Sequence, residues 1–401
     1  WTVDTNISID SYVDKHLIPQ FKELVDKFKP SVIFSDGDWD FNHQSFRSNE
    51  MVQYYYDVVG EEGIVNDRWG IGFNHGYATP EYSSGIMDKN RPWAECRGLS
   101  RSFALNRNAD LETYLTSEDL IKHFARLVAA GGGLTINVGP SADGKIPLLQ
   151  QERLLDLGQW IKVNEEAIYG SRPFEIVYQN QDMITNRIDE QINFNWVRNS
   201  PSKGVSEDNF SIFWKSNITP TQTDTYTIYL EADEEAGLEI KDDEGKTILR
   251  LASQKEEVKH KVKLKKDHNY TFELSYQEKT HEAVVKLSWE CSQFEKQPIK
   301  SQWNGEVSWE NTYVCFTKNK GNLYAISLEP ISNSLTFKLD KAPEVGMKIY
   351  LLGERTIEIP WQYDYENNKI TLDTREITPS NITTKGAWVF KLDNYINYIQ
   401  K

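Results

Sequence analysis

The chain has 401 residues, of which 39% are hydrophobic and 12% aromatic, with 12 Trp and 20 Tyr. That composition excludes a disordered protein and is enough for two or three domains. A formal net charge of −15 argues against nucleic acid as a partner, and no apolar run approaches the roughly 20 residues that cross a bilayer.

Residues 1–175 alternate helix and strand. "SYVDKHLIPQFKELVDKFKP" sets Val13, Leu17, Phe21, Leu24, Val25 and Phe28 at helical spacing. Ser11 and Asp14 are a candidate capping box, Pro19 marks a kink or a late start, and Pro30 ends the helix. "SVIF" follows as a short strand. "EMVQYYYDVVG" is a second helix and "GIVNDRW" a second strand. "TSEDLIKHFARLVAAGG" is a capped helix leading to the strand "GLTINVGP", and "LLQQERLLDLGQWIKVNEEAIY" is a further amphipathic helix. Alternating βα units imply a parallel sheet. The polar residues follow the strands, which is where a (β/α)8 barrel carries its active site.

From about residue 176 the pattern becomes short, alternating and strand-like. "DTYTIYLEAD", "GLEIKDD", "YTFELSYQ" and "EAVVKLSWE" define an all-β module over 176–302. "NLYAISLE", "SLTFKLD", "MKIYLLG", "KITLDT" and "AWVFKLD" define another over 303–401. The expected class is multidomain, α/β followed by all-β.

Candidate chemistry sits at three successive strand ends. "SDGDW" offers Asp36 and Asp38. "VNDRWG" offers Asn66, Asp67, Arg68 and Trp69, and "GYATPEYSSG" offers Glu81. Taken singly, each acid reads as a polar loop residue, and Asp67–Arg68 as a structural ion pair. The set says more. A retaining glycosidase needs two carboxylates about 5–5.5 Å apart, together with groups for sugar hydroxyls and aromatic walls. Other chemistries lack their signals. His16, His43, His75 and His123 show no paired helical spacing. No GxSxG is present, and "AAGGGL" precedes a strand rather than a helix. Cys96, Cys291 and Cys315 are spaced too widely for a zinc site or a disulfide framework.

In order and approximate spacing, "KPSVIFSDGDW", "IVNDRWG", "ATPEYSSG", "RPWAECRGLSRSF", "AAGGGLTINVGPSADGKIP" and "QERLLDLGQWIKVNEEAIYGSRPF" resemble the α-L-fucosidase family of glycoside hydrolases. The resemblance implies a retaining exo-acting enzyme that removes terminal fucose from glycans. It makes Asp36 the nucleophile. It places Phe34, where the family has tryptophan, and Phe103 against the sugar ring, gives Arg68 to the fucose hydroxyls, and adds Trp93 to the substrate-binding set. The proton donor is Glu81 or Glu95. The family has glutamate directly after the tryptophan, whereas this chain reads Trp93-Ala94-Glu95. A displacement by one residue on a strand turns a side chain to the opposite face, which favours Glu81. Residues 303–401 resemble the β-sandwich that follows the fucosidase barrel.

The middle module resembles the protective-antigen-type β-sandwich through Phe213, Trp214, Pro220, Tyr226, Gly237, Tyr270, Tyr276 and Trp289. Relatives of that module bind glycans, some through calcium. The acids here would be Asp233, Glu234 and Glu235, although a structural spacer is the plainer expectation and no cofactor is expected. In the family the nucleophile follows the fourth barrel strand, yet only about 30 residues precede "SVIF". The C-terminal part of a (β/α)8-type barrel, followed by two β-sandwiches, is therefore expected. Either the N-terminal half of the barrel is a separate chain, or it was removed, or the sequence is partial, and this chain alone would hydrolyse nothing. The alternative is a non-catalytic carbohydrate-binding protein. The family's habit points to a secreted, periplasmic or lysosomal location, with fucosylated glycans as partners.

Overall fold

The computed structural model describes residues 8–37, 39–82, 91–100, 102–197, 200–202, 204–205, 208–279, 283–353, 356–378, 380, 382 and 384–400. The first helix is capped by Ser8 rather than Ser11: the Ser8 side chain accepts from the Ser11 amide. From this cap α1 (Ile9–Tyr12) runs into a π-helical turn, Val13–Leu17, and then into α2 (Ile18–Phe28). Pro19 accounts for the wide turn. It has no N–H for the helical ladder, and it sits in the first turn of α2, where none is needed. Lys29 closes α2 in the left-handed conformation.

Two compact units follow from the chain: Trp1–Lys162 with Ile168–Pro173, and Val163–Ala167 with Phe174–Lys401. The first holds β1 (Val32–Ile33), α3 (Ser48–Val59), β2 (Ile64–Val65), β3 (Ala94–Gly98), α4 (Ser117–Ala129), β4 (Gly133–Asn137) and nearly all of α5 (Leu148–Val163). β1 pairs with β2 in parallel, as does β3 with β4. Between the pairs, parallel bridges join Asn66 to Tyr77, Ala78 to Trp93 and Glu81 to Cys96. Five extended segments thus lie side by side in chain order, all pointing the same way, so their C-terminal ends share one edge.

Helix packing fixes that edge. Val13, Ile18, Val25, Met51, Val52, Tyr55 and Val65 form one buried cluster. Tyr55 reaches from α3 to the starts of both strands: its hydroxyl donates to the Pro30 carbonyl at 2.8 Å and accepts from the Ile64 amide at 3.1 Å. Thr116 caps α4 by accepting from the Asp119 amide. No helix among the described residues is long and apolar enough to cross a membrane.

The second unit is antiparallel. It begins with β5 (Arg172–Gln191) and β6 (Asn193–Val197), then β7 (Phe210–Ile218), β8 (Asp224–Ala232), β9 (Glu235–Lys241), β10 (Thr247–Ser253), β11 (Glu256–Leu264), β12 (Tyr270–Glu278), β13 (Ala283–Cys291) and β14 (Phe294–Pro298). Two sheets, β10-β9-β12-β7 and β11-β8-β13-β14, contribute to one core that includes Trp214, Tyr226, Phe272, Leu287 and Trp303. β7 shows the cause, with alternate residues Phe210, Ile212, Trp214, Ser216 and Ile218 buried. The 20-residue strand β15 (Lys300–Asn319) crosses the boundary expected at 302/303 and continues the first of these sheets through β16 (Asn322–Ser327) to the strand Trp388–Leu392. A second core, with Phe174, Phe316, Phe337, Leu372 and Phe390, lies along that continuation.

Candidate active site

The site grows from the C-terminal ends of β1 and β2. Asn66, fully buried, locks them together: its side chain accepts from the Ser35 amide at 2.9 Å and donates to the Ser35 carbonyl at 2.7 Å. The Ser35 hydroxyl donates to the Arg68 carbonyl at 2.5 Å. This clasp brings Asp36 and Arg68 to the same place.

Arg68 is the hub, with only 12% of its side chain exposed. Nε donates to Thr79 Oγ1 at 2.9 Å and Nη2 to the Thr79 carbonyl at 2.8 Å. Thr79 is held in turn by Asp67, whose Oδ1 accepts from its amide and its hydroxyl, while Asp67 Oδ2 accepts from Arg91 at 3.1 Å. With the guanidinium fixed, Nη1 points at both candidate acids. It lies 3.0 Å from Asp36 Oδ1 and 2.5 Å from Glu81 Oε1. Two oxygens sharing one nitrogen at those distances are no more than about 5.5 Å apart, so the two carboxylates are close neighbours. Burial pulls the Arg68 pKa down, but the hydrogen bonds it donates to Glu81 and Asp36 and their negative charge outweigh it, and the net shift is upward. Arg68 is therefore a permanent cation between two carboxylates.

Aromatic residues stand around this cluster. Phe34 lies 5.5 Å from the Arg68 guanidinium and is 40% exposed. Phe103, 41% exposed, meets Tyr82 edge-on at 5.5 Å. The Phe103 loop is tethered where Asn137, the last residue of β4, accepts from the Ala104 amide at 2.9 Å. Tyr82 is pinned because its hydroxyl accepts from the Gly98 amide and donates to the Ser100 carbonyl. Gly98 cannot be larger, since a Cβ there would sit 2.5 Å from the Ser102 carbonyl.

Two expected residues stand apart from this cluster. Glu95 is completely buried, its Oε2 bonded to His123 of α4 and its Oε1 3.7 Å from Arg97. The alternation of β3 is the reason: Glu95 and Arg97 share one face, and Ala94 and Cys96 the other. Trp93 is also buried, at 6% exposure, its indole packed on Gly132, where a Cβ would strike the ring. Cys96 faces the acids instead. Burial raises its thiol pKa, and Glu81 and Asp36 add to this against Arg68. Asp38 lies outside the described residues. Among the described residues no three His, Cys, Asp or Glu side chains converge to hold a metal.

Thr79 and the pairing of Asp67 with Arg91 do not stand out in the sequence, because they act across strand ends whose register the sequence does not display. The run "NDRW" after a strand is the one signal, with its acid and base adjacent.

Paired carboxylates on a buried arginine, at the ends of neighbouring parallel strands and beside exposed aromatics, define a glycoside hydrolase type of site. Residues 2–166 match the family model of the α-L-fucosidases, and residues 167–303 that of the PA14 domain. Over residues 2–166 the chain is similar to the α-L-fucosidase family. It is 35% identical over 165 residues to an α-L-fucosidase of Branchiostoma floridae, covering 39% of this chain and 36% of that protein. It is 33% identical over 210 residues to the plasma α-L-fucosidase of Rattus norvegicus, covering 50% and 43% respectively. The chain thus spans less than half the length of these relatives. A solved α-L-fucosidase isoenzyme 1 from Paenibacillus thiaminolyticus shares its fold at a TM-score of 0.53 and 14% identity, over 97% of this chain and 64% of that one. A Thermotoga maritima α-fucosidase does so at 0.51 and 18%, over 95% and 57%.

Proposed function

We propose that the protein is a retaining exo-α-L-fucosidase acting on terminal fucose of glycans. The observation that carries this reading is the single Arg68 nitrogen bridging Asp36 and Glu81. Asp36 attacks the anomeric carbon while Glu81 gives its proton to the glycosidic oxygen, and the carbon–oxygen bond breaks. Glu81 then takes a proton from water. The hydroxide displaces Asp36 from the sugar, which frees fucose and restores both groups. Arg68 orients both carboxylates and reaches a fucose hydroxyl, and Phe34 and Phe103 line the ring. Trp93 supports this wall from behind, and Glu95 is a buried structural acid rather than the donor.

In this reading the five parallel segments are part of a (β/α)8-type barrel, and the two cores of the second unit are β-sandwiches. The remaining barrel strands come from chain outside these residues, in keeping with the 36% of the Branchiostoma enzyme that is covered. A place outside the cytosol accords with the plasma enzymes among the relatives.

The test is hydrolysis of 4-nitrophenyl α-L-fucoside by the full-length protein, with the Asp36→Gly and Glu81→Ala variants beside it. Activity should vanish in the first and return in small part with azide. In the second, poor leaving groups should suffer far more than good ones. Normal turnover by Asp36→Gly would sink the assignment. Ala94, standing where the family has glutamate, favours the non-catalytic alternative, which predicts no turnover by any form.

A further inference from the structure

The middle β module carries a charge pattern that the chemistry above does not use. The chain has a formal net charge of −15, yet residues 255–266 hold six lysines against two acids, Glu256 and Glu257. Most of this run is β11, an edge strand whose neighbour is β8. Val262 and Leu264 are buried in the core, so strand alternation puts Lys259, Lys261 and Lys263 together on the outer face. All three are exposed, as are Lys265 and Lys266 just beyond. At two-residue spacing the three form a row roughly 14 Å long.

Among the described residues nothing neutralises that row. The cross-strand partners on β8 are Tyr229, Thr227 and Thr225, all neutral, and none of the three lysines forms an ion pair. The acids nearby are engaged elsewhere. Glu231 holds Lys286 at 2.8 Å, Glu257 holds Lys296, and Glu290 accepts from the Tyr229 hydroxyl at 2.5 Å. The other sheet of the module is built the opposite way. There Lys215 and Lys241 share Glu273 at 2.8 and 2.6 Å, and Arg250 meets Glu239 at 2.9 Å. A lysine on an edge strand discourages pairing with another chain, but that role leaves the surplus charge without a counterpart. Salt screens the rest of the acidic chain beyond about 10 Å, so the row attracts anions locally.

The surroundings select among anionic partners. Single-stranded nucleic acid brings bases that stack on aromatic faces. Tyr229 is only 8% exposed, with Lys259 5.6 Å and Lys296 4.4 Å from its ring centre. A membrane surface calls for apolar side chains beside the charges, and among the described residues no exposed large apolar side chain lies on β8, β11, β13 or β14. Planar carboxylates are matched by the arginine fork, and residues 255–266 contain no arginine. Lysine, a point charge with three donors, suits the rounder sulfate ester. The exposed Thr225 can serve a sugar hydroxyl beside it.

We propose that this outer face binds a sulfated polysaccharide, with Lys259, Lys261 and Lys263 taking successive sulfate groups. Binding there goes beyond the fucosidase reading and needs neither Asp36 nor Glu81.

The test is calorimetric titration of the full-length protein with a heparin octasaccharide. The unsulfated heparosan octasaccharide and a thymidine oligonucleotide are titrated beside it. Heparin should bind, and the other two should bind far more weakly. A variant carrying Lys259→Gln, Lys261→Gln and Lys263→Gln should raise the heparin Kd about tenfold or more. A second variant, with Lys320→Gln, Lys338→Gln and Lys369→Gln, removes the same charge from exposed positions elsewhere and should leave the Kd unchanged. No heparin binding by the wild-type protein would overturn the proposal. So would heparosan or the oligonucleotide binding as tightly as heparin, or an equal loss in both variants.

Discussion

Two of the close carboxylate pairs among the described residues are compensated in opposite ways. In the first unit Asp36 and Glu81 share the guanidinium of Arg68 and stay partly open to solvent, at 58% and 34% side-chain exposure. In the second, Asp233 and Glu278 share only the neutral hydroxyl of Tyr276, which lies 2.9 Å from Asp233 Oδ1 and 2.5 Å from Glu278 Oε2. Glu278 is 1% exposed, and its Oε1 has no hydrogen-bond partner among the described residues. Burial pushes its pKa up to about 7; the Tyr276 hydrogen bond opposes the shift and Asp233, Asp208 and Glu234 reinforce it. A shared cation offsets the repulsion between two neighbouring acids. Without one, the buried acid holds a proton instead. The first arrangement suits covalent chemistry, and the second suits a core that must give up a proton before it can be disrupted by charge.

The difference can be broken at its strongest point first. Asp36→Gly should cost roughly 10⁴-fold or more in kcat, measured on an aryl fucoside. Arg68→Met, which keeps the bulk and removes the cation, should cost about 10²–10³-fold in kcat/KM. A loss of less than tenfold would mean that the bridge is ornamental.

Glu95→Ala should act on stability rather than chemistry. It strips a fully buried carboxyl from His123 and Arg97, and losing one partner of a buried pair costs about 3–5 kcal/mol. Denaturant midpoints should drop while the dependence of rate on leaving group stays that of wild type. A selective loss on poor leaving groups would make Glu95 the donor.

The smallest expected effect lies at Glu278. Its proton leaves near 4.5 when unfolded and near 7 when folded, so the folded state holds the extra proton between those values. Stability from this group therefore falls as pH rises from about 4.5 to 7 and is flat above, by on the order of 3 kcal/mol. Glu278→Gln should flatten that slope in unfolding curves taken at pH 5 and 8. An unchanged slope would remove Glu278 from the account.

The same contrast shows which parts were legible beforehand. Strand ends carrying "SDGD", "NDRW" and "TPEY" marked Asp36, Arg68 and Glu81, because polar residues directly after apolar strands have no packing reason to be there. Alternation on β3 assigned Glu95 and Ala94 to opposite faces. What could not be read were contacts that depend on register: Asn66 on Ser35, Thr79 beneath Arg68, and Tyr276 on Asp233. The join between the two β regions was hidden for a related reason. β15 runs unbroken from Lys300 to Asn319, and within it Gly305 leaves room for the Trp214 ring, which a Cβ would approach to 2.9 Å. The π-helical turn ahead of Pro19 likewise reflects a backbone adjustment that residue spacing alone does not reveal.

The most direct test of the central claim is to trap the intermediate. The full-length protein is incubated with 2-deoxy-2-fluoro-α-L-fucosyl fluoride, digested, and the labelled peptide sequenced by mass spectrometry. The account predicts one fluorofucosyl group, attached as an ester to Asp36. A label on Glu81 or any other carboxylate, or steady turnover with no adduct at all, would contradict it.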